Sequence, residues 1–524
     1  MRKNTIWNVI YVLLFLLLAA GEAFAIITLI QLDMLPLGYL IALIAVLVLL
    51  AVIIGLMLFI RGRKSGKLRR IVAVVLALLL LCGCAVISTV ATDVRKAIQA
   101  TSREMFDLPT REIYVLADNE TQELKDAVDF TYGFIKNYDE DCTQQVFEEI
   151  YQQTGVRPAT AGYMNIGTMV TALMENRIDA MILNSGLMSI LEDSGAFEDF
   201  SANTKVLEQV RVEELEAPTF EMMLPVPQEP DAEEIIPVTK PNEEPEEEIT
   251  VDYSALEPFI VYVSGSDSYD EEVVTYGRSD VNILAVVNPL TKQVLLINTP
   301  RDYYVKTTVS GDQKDKLTHC GIYGVKCSMR TLASLYNTKV EYFVRINFSG
   351  FKKLIDALGG VTVYSDYAFT AITRTPIAQG ENHLNGQQAL DFARERKTLQ
   401  DGDAERGRHQ MQVITAVIEK ATSGTTIISN YSDIMASVEG MFTMNIPAEM
   451  IGDLMKMQLS DMARWNIVSY SATGYGAMEE CYSLPGMELA VMEPNQSSLN
   501  KAARLIDMVF AGELLTEEVI NSIT

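Results

Sequence analysis

The sequence has little cysteine, histidine and positive charge for its length. Six cysteines in 524 residues are too few for a dense disulfide framework. Only Cys320 and Cys327 lie close together, and either a disulfide in an oxidising compartment or two buried free thiols fits that spacing. The three histidines, His319, His383 and His409, lack metal-ligand spacing, so no zinc site is expected. The formal net charge of −27 argues against nucleic-acid binding, which requires clustered lysine and arginine.

Apolar residues are abundant, and the excess lies at the start of the chain. Residues 5–32, 34–60 and 71–92 form three runs, each long enough to cross a bilayer core, which takes about 20 residues. The loop after the second run carries six positive residues between 61 and 70, whereas the first connection carries only Asp33. The positive-inside rule therefore predicts a multi-pass protein of the cell membrane. Its amino terminus is expected in the cytoplasm and everything after the third run outside the cell.

Composition divides the chain into four parts. Residues 1–93 are predicted to form a three-helix membrane anchor. Residues 105–215 mix strand-like and helical runs, which predicts a small α/β accessory domain without catalytic function, faintly similar to halves of extracellular solute-binding proteins. Residues 216–257 are rich in proline and acidic residues, which predicts an extended linker. Residues 258–515 are predicted to form the catalytic domain, with its core motifs in 258–420.

The predicted catalytic domain has the pattern of an α/β fold with a mixed sheet. Apolar runs at 282–287 and 293–297 flank a turn and predict a hairpin. From Phe351 onward, apolar residues at i, i+3, i+4 and i+7 predict a helix that ends at Gly359. A strand is expected at 361–363. Strands paired in a hairpin and packed by helices indicate an α/β domain.

Two aspartates stand at the ends of predicted strands. Asp267 follows the apolar run 259–263, and Asp280 stands before the run 282–287. Two carboxylates placed in this way can share one Mg²⁺, which needs few protein oxygens when phosphates complete its shell. Arg278, close to Asp280, would bring a phosphate to the same place. Each aspartate alone is equally compatible with a turn or a cap.

Arginines also stand at the expected ends of a later strand and a later helix. Pro300 fixes the backbone at the exit of a strand and helps to aim Arg301, although Arg301 and Asp302 are also compatible with a surface ion pair. Arg394 and Arg396 lie two residues apart, so both reach one ligand only if their helix ends near residue 393.

That helix is predicted to begin with a capping box formed by Asn385 and Gln388. Arg406 and Gln410 follow on the next helix. Several converging guanidinium groups would neutralise a pyrophosphate, whereas any one arginine alone fits solvated surface.

Taken in order, these motifs resemble those of the LytR-CpsA-Psr family of bacterial envelope enzymes. The matching segments are Gly265–Asp267, Arg278–Asp280, Pro300–Tyr303, Asp356–Val361, Leu384–Leu390, Ala393–Arg396 and Asp403–Gln410. The resemblance implies an α/β/α domain with a long hydrophobic pocket for a polyprenyl chain. It also implies Mg²⁺-dependent transfer of a glycopolymer, such as teichoic acid or a capsular or other wall polysaccharide, from undecaprenyl pyrophosphate to peptidoglycan.

The resemblance also implies a role for each matching residue. It assigns metal binding to Asp267 and Asp280. Substrate binding falls to six residues: Arg278, Arg301, Arg394, Arg396, Arg406 and Gln410. For the reaction itself we predict a catalytic group of Arg301, Asp302 and Asp280, and the sequence does not choose which aspartate accepts the proton of the acceptor hydroxyl. Tyr269 and His409 depart from the family pattern, in which basic residues are common at both positions.

Two other functions remain compatible with the sequence. A hydrolase would attack the same polyprenyl pyrophosphate with water. A non-catalytic, membrane-anchored regulator or receptor would use the accessory domain to sense a solute. The products of the reaction distinguish the two enzymes, and ligand binding that survives loss of the arginines would identify the receptor.

Overall fold

Three apolar helices form the N-terminal part of the chain. The computed structural model describes residues 2–60, 66–101, 110–136, 140–188, 191, 197, 199–212, 256–268, 276–399, 402–423, 434, 437 and 440–523. The helices are α1 (Arg2–Leu32), α2 (Leu37–Phe59) and α3 (Gly66–Thr101). Each contains a span long and apolar enough to cross a membrane. Ala73 and Ala77 of α3 pack against Leu18 and Ile54, so small residues allow close approach at the centre of the anchor.

A five-stranded sheet follows the anchor. Its strands are β1 (Thr110–Leu116), β2 (Thr131–Ile135), β3 (Ala159–Tyr163), β4 (Ala180–Asn184) and β5 (Thr204–Arg211), in the order β3-β2-β4-β1-β5. Its helices are α4 (Glu140–Thr154), α5 (Ile166–Met174) and α6 (Phe200–Asn203). The strand-like runs of this region, at 113–117 and 178–183, overlap β1 and β4. The predicted linker, 216–257, lies almost entirely outside the described residues.

A six-stranded mixed sheet forms the centre of the second half. Its strands are β6 (Phe259–Ser266), β7 (Val281–Asn288), β8 (Gln293–Asn298), β11 (Tyr342–Asn347), β16 (Phe442–Met444) and β17 (Asn466–Ser471). The order is β16-β11-β6-β7-β8-β17. The predicted hairpin is β7–β8, which is antiparallel, whereas β11 runs parallel to β6 and β17 parallel to β8. The mixed sheet expected from the sequence is therefore confirmed.

Helices cover both faces of this sheet. They are α7 (Val325–Tyr336), α8 (Phe348–Ala357), α9 (Gly386–Arg394), α10 (Asp403–Thr422), α11 (Ala448–Asp461), α12 (Gln496–Phe510) and α13 (Glu517–Ser522). On one face, Leu284 and Leu295 share a core with Leu332 of α7 and Leu505 of α12. On the other face, residues such as Ile283 pack with α10 and α11. The result is the predicted α/β/α arrangement.

Short strands and one 3₁₀ helix complete the domain. The strands are β9 (Tyr304–Lys306), β10 (Lys314–Lys316), β12 (Val361–Ser365), β13 (Phe369–Thr370), β14 (Pro376–Ile377), β15 (Gly380–Leu384), β18 (Gly474–Glu480) and β19 (Glu488–Pro494). The 3₁₀ helix is Leu317–Tyr323. Gly359 and Gly360, with φ of 74° and 82°, end the α8 segment as predicted, because positive φ strains residues with a Cβ. Asn385 and Gln388 form the predicted capping box of α9.

The anchor contacts the second half through α11. Nζ of Lys456 lies 2.9 Å from Oδ2 of Asp33, which stands between α1 and α2. Met34 and Val94 are buried beside Ile451 of α11. The α1–α2 connection and the end of α3 therefore meet the same helix, so the second half lies at one end of the three-helix anchor.

Candidate active site

Three strand ends of the six-stranded sheet lie at one edge and carry predicted site residues. Gly265 of β6 stands opposite Val281 of β7, and β7 runs antiparallel to β8. The end of β6, the start of β7 and the end of β8 are therefore neighbours. Asp267, Asp280 and Arg301 occupy these three ends, so the topology places them along the same edge.

Asp280 and Arg301 form an ion pair at this edge. Nη1 of Arg301 donates to Oδ1 of Asp280 at 2.8 Å, and Oγ1 of Thr318 donates to the same oxygen at 3.3 Å. Burial alone would raise the pKa of Asp280. The charges of Arg301, Arg278 and Arg406 outweigh burial and hold that pKa below its usual value. The carboxylate is therefore ionised at neutral pH.

Asp302 lies in a second, connected pair. Nζ of Lys316 donates to Oδ1 of Asp302 at 3.1 Å, and Nε of Arg301 lies 3.6 Å from Oδ2. Sequence reasoning missed Lys316, because the three residues of β10 carry no apolar pattern that would mark a strand. Arg301 and Asp302 do form an ion pair, as the alternative interpretation expects, but Arg301 is only 20% exposed and also pairs with Asp280.

A buried hydrogen-bond network holds Lys316 and Thr318 in place. Oδ1 of Asp315 lies 2.6 Å from Nδ1 of His319, and Oδ2 accepts from the amide and the hydroxyl of Ser483. The ligand atoms of Asp315, His319 and Cys481 lie within 4.8 Å of one another, a spacing that would suit a metal ion. Both carboxylate oxygens already accept hydrogen bonds, so the cluster needs no cation to satisfy its buried charge.

One turn of α10 brings further predicted residues to the same edge. Asp280, Arg301, Arg406 and Gln410 line one cavity of about 240 Å³. Arg406 and Gln410 are four residues apart, so they share a face of α10. A Cβ at Gly407 would lie 2.3 Å from Nδ2 of Asn298, so glycine allows the helix to approach the end of β8.

Part of the cavity wall comes from a segment that sequence reasoning did not assign. Ser471 and Thr473 line it, together with Arg408 of α10, which pairs with Glu405 at 2.7 Å. Oγ of Ser471 is buried and makes no hydrogen bond within the described residues. Because β17 runs parallel to β8, its exit lies beside that of β8. Binding sites of α/β proteins usually form at the carboxyl ends of strands, and this general rule could have pointed to Ser471.

The remaining predicted residues lie beside the cavity rather than in its wall. Nη2 of Arg394 is 3.6 Å from Oδ1 of Asp267, and its guanidinium lies 4.1 Å from the ring centre of Phe348. Arg396 lies beyond the end of α9, which stops at Arg394, and its side chain is exposed. Asp267 and Arg394 therefore form a second pair at the end of β6, next to the strand end that carries Asp280.

The residues present fit a magnesium ion. Asp267 and Asp280 offer carboxylate oxygens from neighbouring strand ends, and both hydrogen bonds to Asp280 end on Oδ1. Oγ of Ser266 and Oγ of Ser268, which flank Asp267, are buried without a hydrogen-bond partner among the described residues. Mg²⁺ takes oxygen ligands and keeps several waters, so a sparse set of this kind is suitable.

His409 does not line the cavity. Its ring is stacked on Phe392, with centroids 4.0 Å apart, and on Phe369 at 5.5 Å, and burial lowers its pKa. It therefore belongs to the core behind α10, and Tyr269 lies outside the described residues. All six cysteines lie within the described residues and are free, so Cys320 and Cys327 are two buried thiols.

Comparison with known proteins identifies the family. Residues 233–501, just over half of the chain, match the LytR_cpsA_psr family. The chain belongs to this family. The motifs at the sheet edge and on α10 all lie inside the matched range, so the resemblance noted in the sequence is confirmed.

The chain is also similar to curated proteins. The chain is 33% identical over 208 residues to the polyisoprenyl-teichoic acid–peptidoglycan teichoic acid transferase TagU of Bacillus mycoides, covering 40% of this chain and 66% of that protein. It is 35% identical over 189 residues to TagU of Enterococcus faecalis, covering 36% of this chain and 61% of that protein. The matches thus span just under two thirds of these relatives. Among solved structures, TagV of B. subtilis covers 49% of this chain and 99% of its own, at 24% identity and a TM-score of 0.41.

Proposed function

We propose that this protein is a Mg²⁺-dependent phosphotransferase that moves a glycopolymer from undecaprenyl pyrophosphate to peptidoglycan. The observation that carries the proposal is the single cavity lined by Asp280, Arg301, Arg406 and Gln410, with the charge of Arg278 acting on Asp280. Guanidinium groups match the geometry and charge of a diphosphate. Membership of the family and the transferase names of its relatives support the same activity.

The proposed reaction replaces the phosphoanhydride bond of the donor with a new phosphate ester bond to the acceptor. A sugar hydroxyl of peptidoglycan attacks the phosphorus that carries the glycopolymer, and a new P–O bond forms. The bond from that phosphorus to the bridging oxygen breaks, and polyprenyl phosphate leaves with the electron pair. Arg301 and Arg406 stabilise the charge that develops on the phosphate oxygens, because they are fixed before the reaction begins. Gln410 donates a neutral hydrogen bond to the same group.

Asp302 is the better candidate for the proton acceptor. Asp280 has a lowered pKa and is bonded to Arg301 and Thr318, so it is a weak base. Asp302 also accepts from Lys316, but its side chain is 30% exposed against 13% for Asp280, so an acceptor hydroxyl can reach it. We assign Asp280, with Asp267, to holding Mg²⁺, which when bound would neutralise phosphate charge.

Product analysis tests the proposed function. The full chain in detergent is incubated with a polyprenyl-diphosphate-linked oligosaccharide, peptidoglycan fragments and Mg²⁺, and the products are identified by mass spectrometry. We expect an oligosaccharide–phosphate–peptidoglycan adduct and polyprenyl phosphate in equal amounts. Free oligosaccharide phosphate without an adduct would instead identify a hydrolase, and the absence of turnover would refute both enzymes.

The topology is proposed on two observations. The basic loop at 61–70 favours the cytoplasm, which places the opposite ends of the helices outside. Asp33 and Val94 stand at those opposite ends, and both contact α11 or its neighbours. We therefore place the catalytic domain outside the cell, against the outer surface of the membrane, where both the lipid-linked donor and peptidoglycan can reach it.

A cross-link between the anchor and α11 should form if this contact exists in cells. A Cβ at Gly452 would lie 3.2 Å from the carbonyl oxygen of Asp33 and 3.9 Å from Cγ of Met34. We expect Met34→Cys with Gly452→Cys to oxidise to a disulfide, because the new Cβ at residue 452 would lie 3.9 Å from the position of Cγ of Met34, where the sulfur of a cysteine would stand. With a protease site inserted at residue 230, the two fragments should stay joined on a gel until they are reduced. The Met34→Cys variant alone is the control, and fragments that separate without reductant would contradict the contact.

A further inference from the structure

Arg345 is a fully buried arginine on β11, which is separated from β8 by β6 and β7. It stands opposite Ser264 of β6 and Thr443 of β16 in the register of the sheet. Its side chain is among the largest that are completely buried in the described residues. A charged group at this depth has lost its hydration, so it persists only where protein groups replace the water.

Most of its hydrogen bonds end on the turn that precedes β7. Nη1 donates to Oγ of Ser264 at 2.8 Å and to Oγ of Ser279 at 2.9 Å. Nη2 donates to the carbonyl oxygens of Gly277 at 2.8 Å and Arg278 at 3.4 Å. Three of these four acceptors belong to residues 277–279. The planar guanidinium therefore holds both the backbone and a side chain of one short turn.

The 3₁₀ helix holds the same turn from another side. The amide of Gly277 donates to the carbonyl oxygen of Gly321 at 2.8 Å, and the amide of Ser279 donates to that of Thr318 at 3.1 Å. A Cβ at Gly321 would lie 2.2 Å from the carbonyl oxygen of Gly277, so this approach requires glycine. The turn is thus fixed between Arg345 and the 3₁₀ helix.

The residues carried by this turn belong to the candidate active site. Arg278 lies within it, and Asp280 follows it and pairs with Arg301. The positive charge of Arg345 also acts on Asp280. A shift of the turn would therefore move a guanidinium and a carboxylate together. Misplacement by about 1 Å can cost on the order of a hundredfold in rate.

We propose that Arg345 is a positioning residue of the active site, which fixes the turn 277–279 and so places Arg278 and Asp280 against the diphosphate. This inference rests on the proposed function. Lysine cannot take the same role, because a single ammonium group lacks the fork that reaches two hydroxyls and two carbonyls at once.

The test compares Arg345→Lys with Arg111→Lys in the full chain. Arg111 is a matched control, because it is 1% exposed but lies on β1 of the other sheet. We expect Arg345→Lys to lower kcat for polymer transfer by about 10–100-fold and to raise the Mg²⁺ concentration needed for half-maximal rate. Arg111→Lys should lower the thermal midpoint by a similar amount and leave both kinetic values unchanged.

A second variant and a binding measurement keep the proposal testable if Arg345→Lys does not fold. Ser279→Ala removes one bond from Arg345 to the turn and retains the buried charge, and it should lower kcat about 3–10-fold. A short polyprenyl diphosphate with Mg²⁺ should bind Arg345→Lys or Ser279→Ala more weakly than wild type, with no change in Arg111→Lys.

The outcomes separate the two proposals. If wild type binds the diphosphate but transfers nothing, the proposed function fails, and the binding series still decides the role of Arg345. Arg345→Lys and Ser279→Ala that match wild type in kcat, Mg²⁺ dependence and diphosphate affinity would overturn the inference. Wild type that binds no diphosphate would overturn it as well.

Discussion

Replacing Arg301 with methionine is expected to lower polymer transfer by about a thousandfold. Arg301 lies between Asp280 and Asp302, at 2.8 and 3.6 Å, and lines the cavity. Removing a fixed cation that stabilises developing charge in phosphoryl transfer costs about 10³-fold or more in rate. The apolar stem of methionine fills part of the space, so the effect on folding should be small.

Kinetics with a matched variant check this expectation. Arg330 lies exposed on α7, and Arg330→Met removes the same charge far from the cavity wall. We expect Arg330→Met to transfer polymer at the wild-type rate. If Arg301→Met keeps more than a tenth of the wild-type kcat while it is folded, Arg301 is not part of the reaction.

The substitution Asp280→Asn has the second large expected effect, on both transfer and stability. Transfer should fall by about 10²–10³-fold, because asparagine is a poor magnesium ligand and no longer orients Arg301 through an ion pair. Loss of a largely buried, charge-assisted hydrogen bond should also lower the free energy of unfolding by about 1–3 kcal/mol. Asp312→Asn is the control, since Asp312 is fully exposed and its partner among the described residues is Lys306.

The stability effect of Asp280→Asn has a predictable dependence on pH. The pKa of Asp280 is lower in the folded state than the ordinary value of 3.8. The unfolded chain therefore takes up a proton first as pH falls, and the stabilisation present above about pH 4 is lost as pH falls through the folded pKa. Thermal midpoints of wild type and Asp280→Asn should differ by a constant amount between pH 5 and 8 and converge at lower pH. A difference that grows on acidification would contradict the assignment.

Local patterns in the sequence predicted much of the domain because their causes are local. The β7–β8 hairpin follows from two apolar runs and a turn, and the capping box at Asn385 depends on residues three apart. Arg394 and Arg396 can reach one ligand only if their helix ends near residue 393, and α9 does end at Arg394. The ends of the predicted strands also indicated the edge of the sheet at which Asp280 and Arg301 meet.

Residues whose roles depend on distant partners could not be predicted in this way. Arg345 acts on a turn more than 60 positions earlier in the chain, and only the parallel pairing of β11 with β6 brings the two together. Lys316 has an ordinary sequence environment, and its role depends on the buried network around Asp315. Ser471 enters the cavity only because β17 pairs with β8. The roles of Arg345, Lys316 and Ser471 therefore depend on contacts between segments that lie far apart in the sequence.

Titration of the purified full chain with undecaprenyl diphosphate and with undecaprenyl monophosphate tests the central claim most directly. With Mg²⁺ present, a site built from several guanidinium groups and a divalent cation should bind the diphosphate at least about tenfold more tightly than the monophosphate. Chelation of Mg²⁺, or the substitution Arg406→Ala, should remove most of that preference. Equal affinity for the two lipids, unchanged by chelation and by Arg406→Ala, would contradict convergence of these groups on one diphosphate.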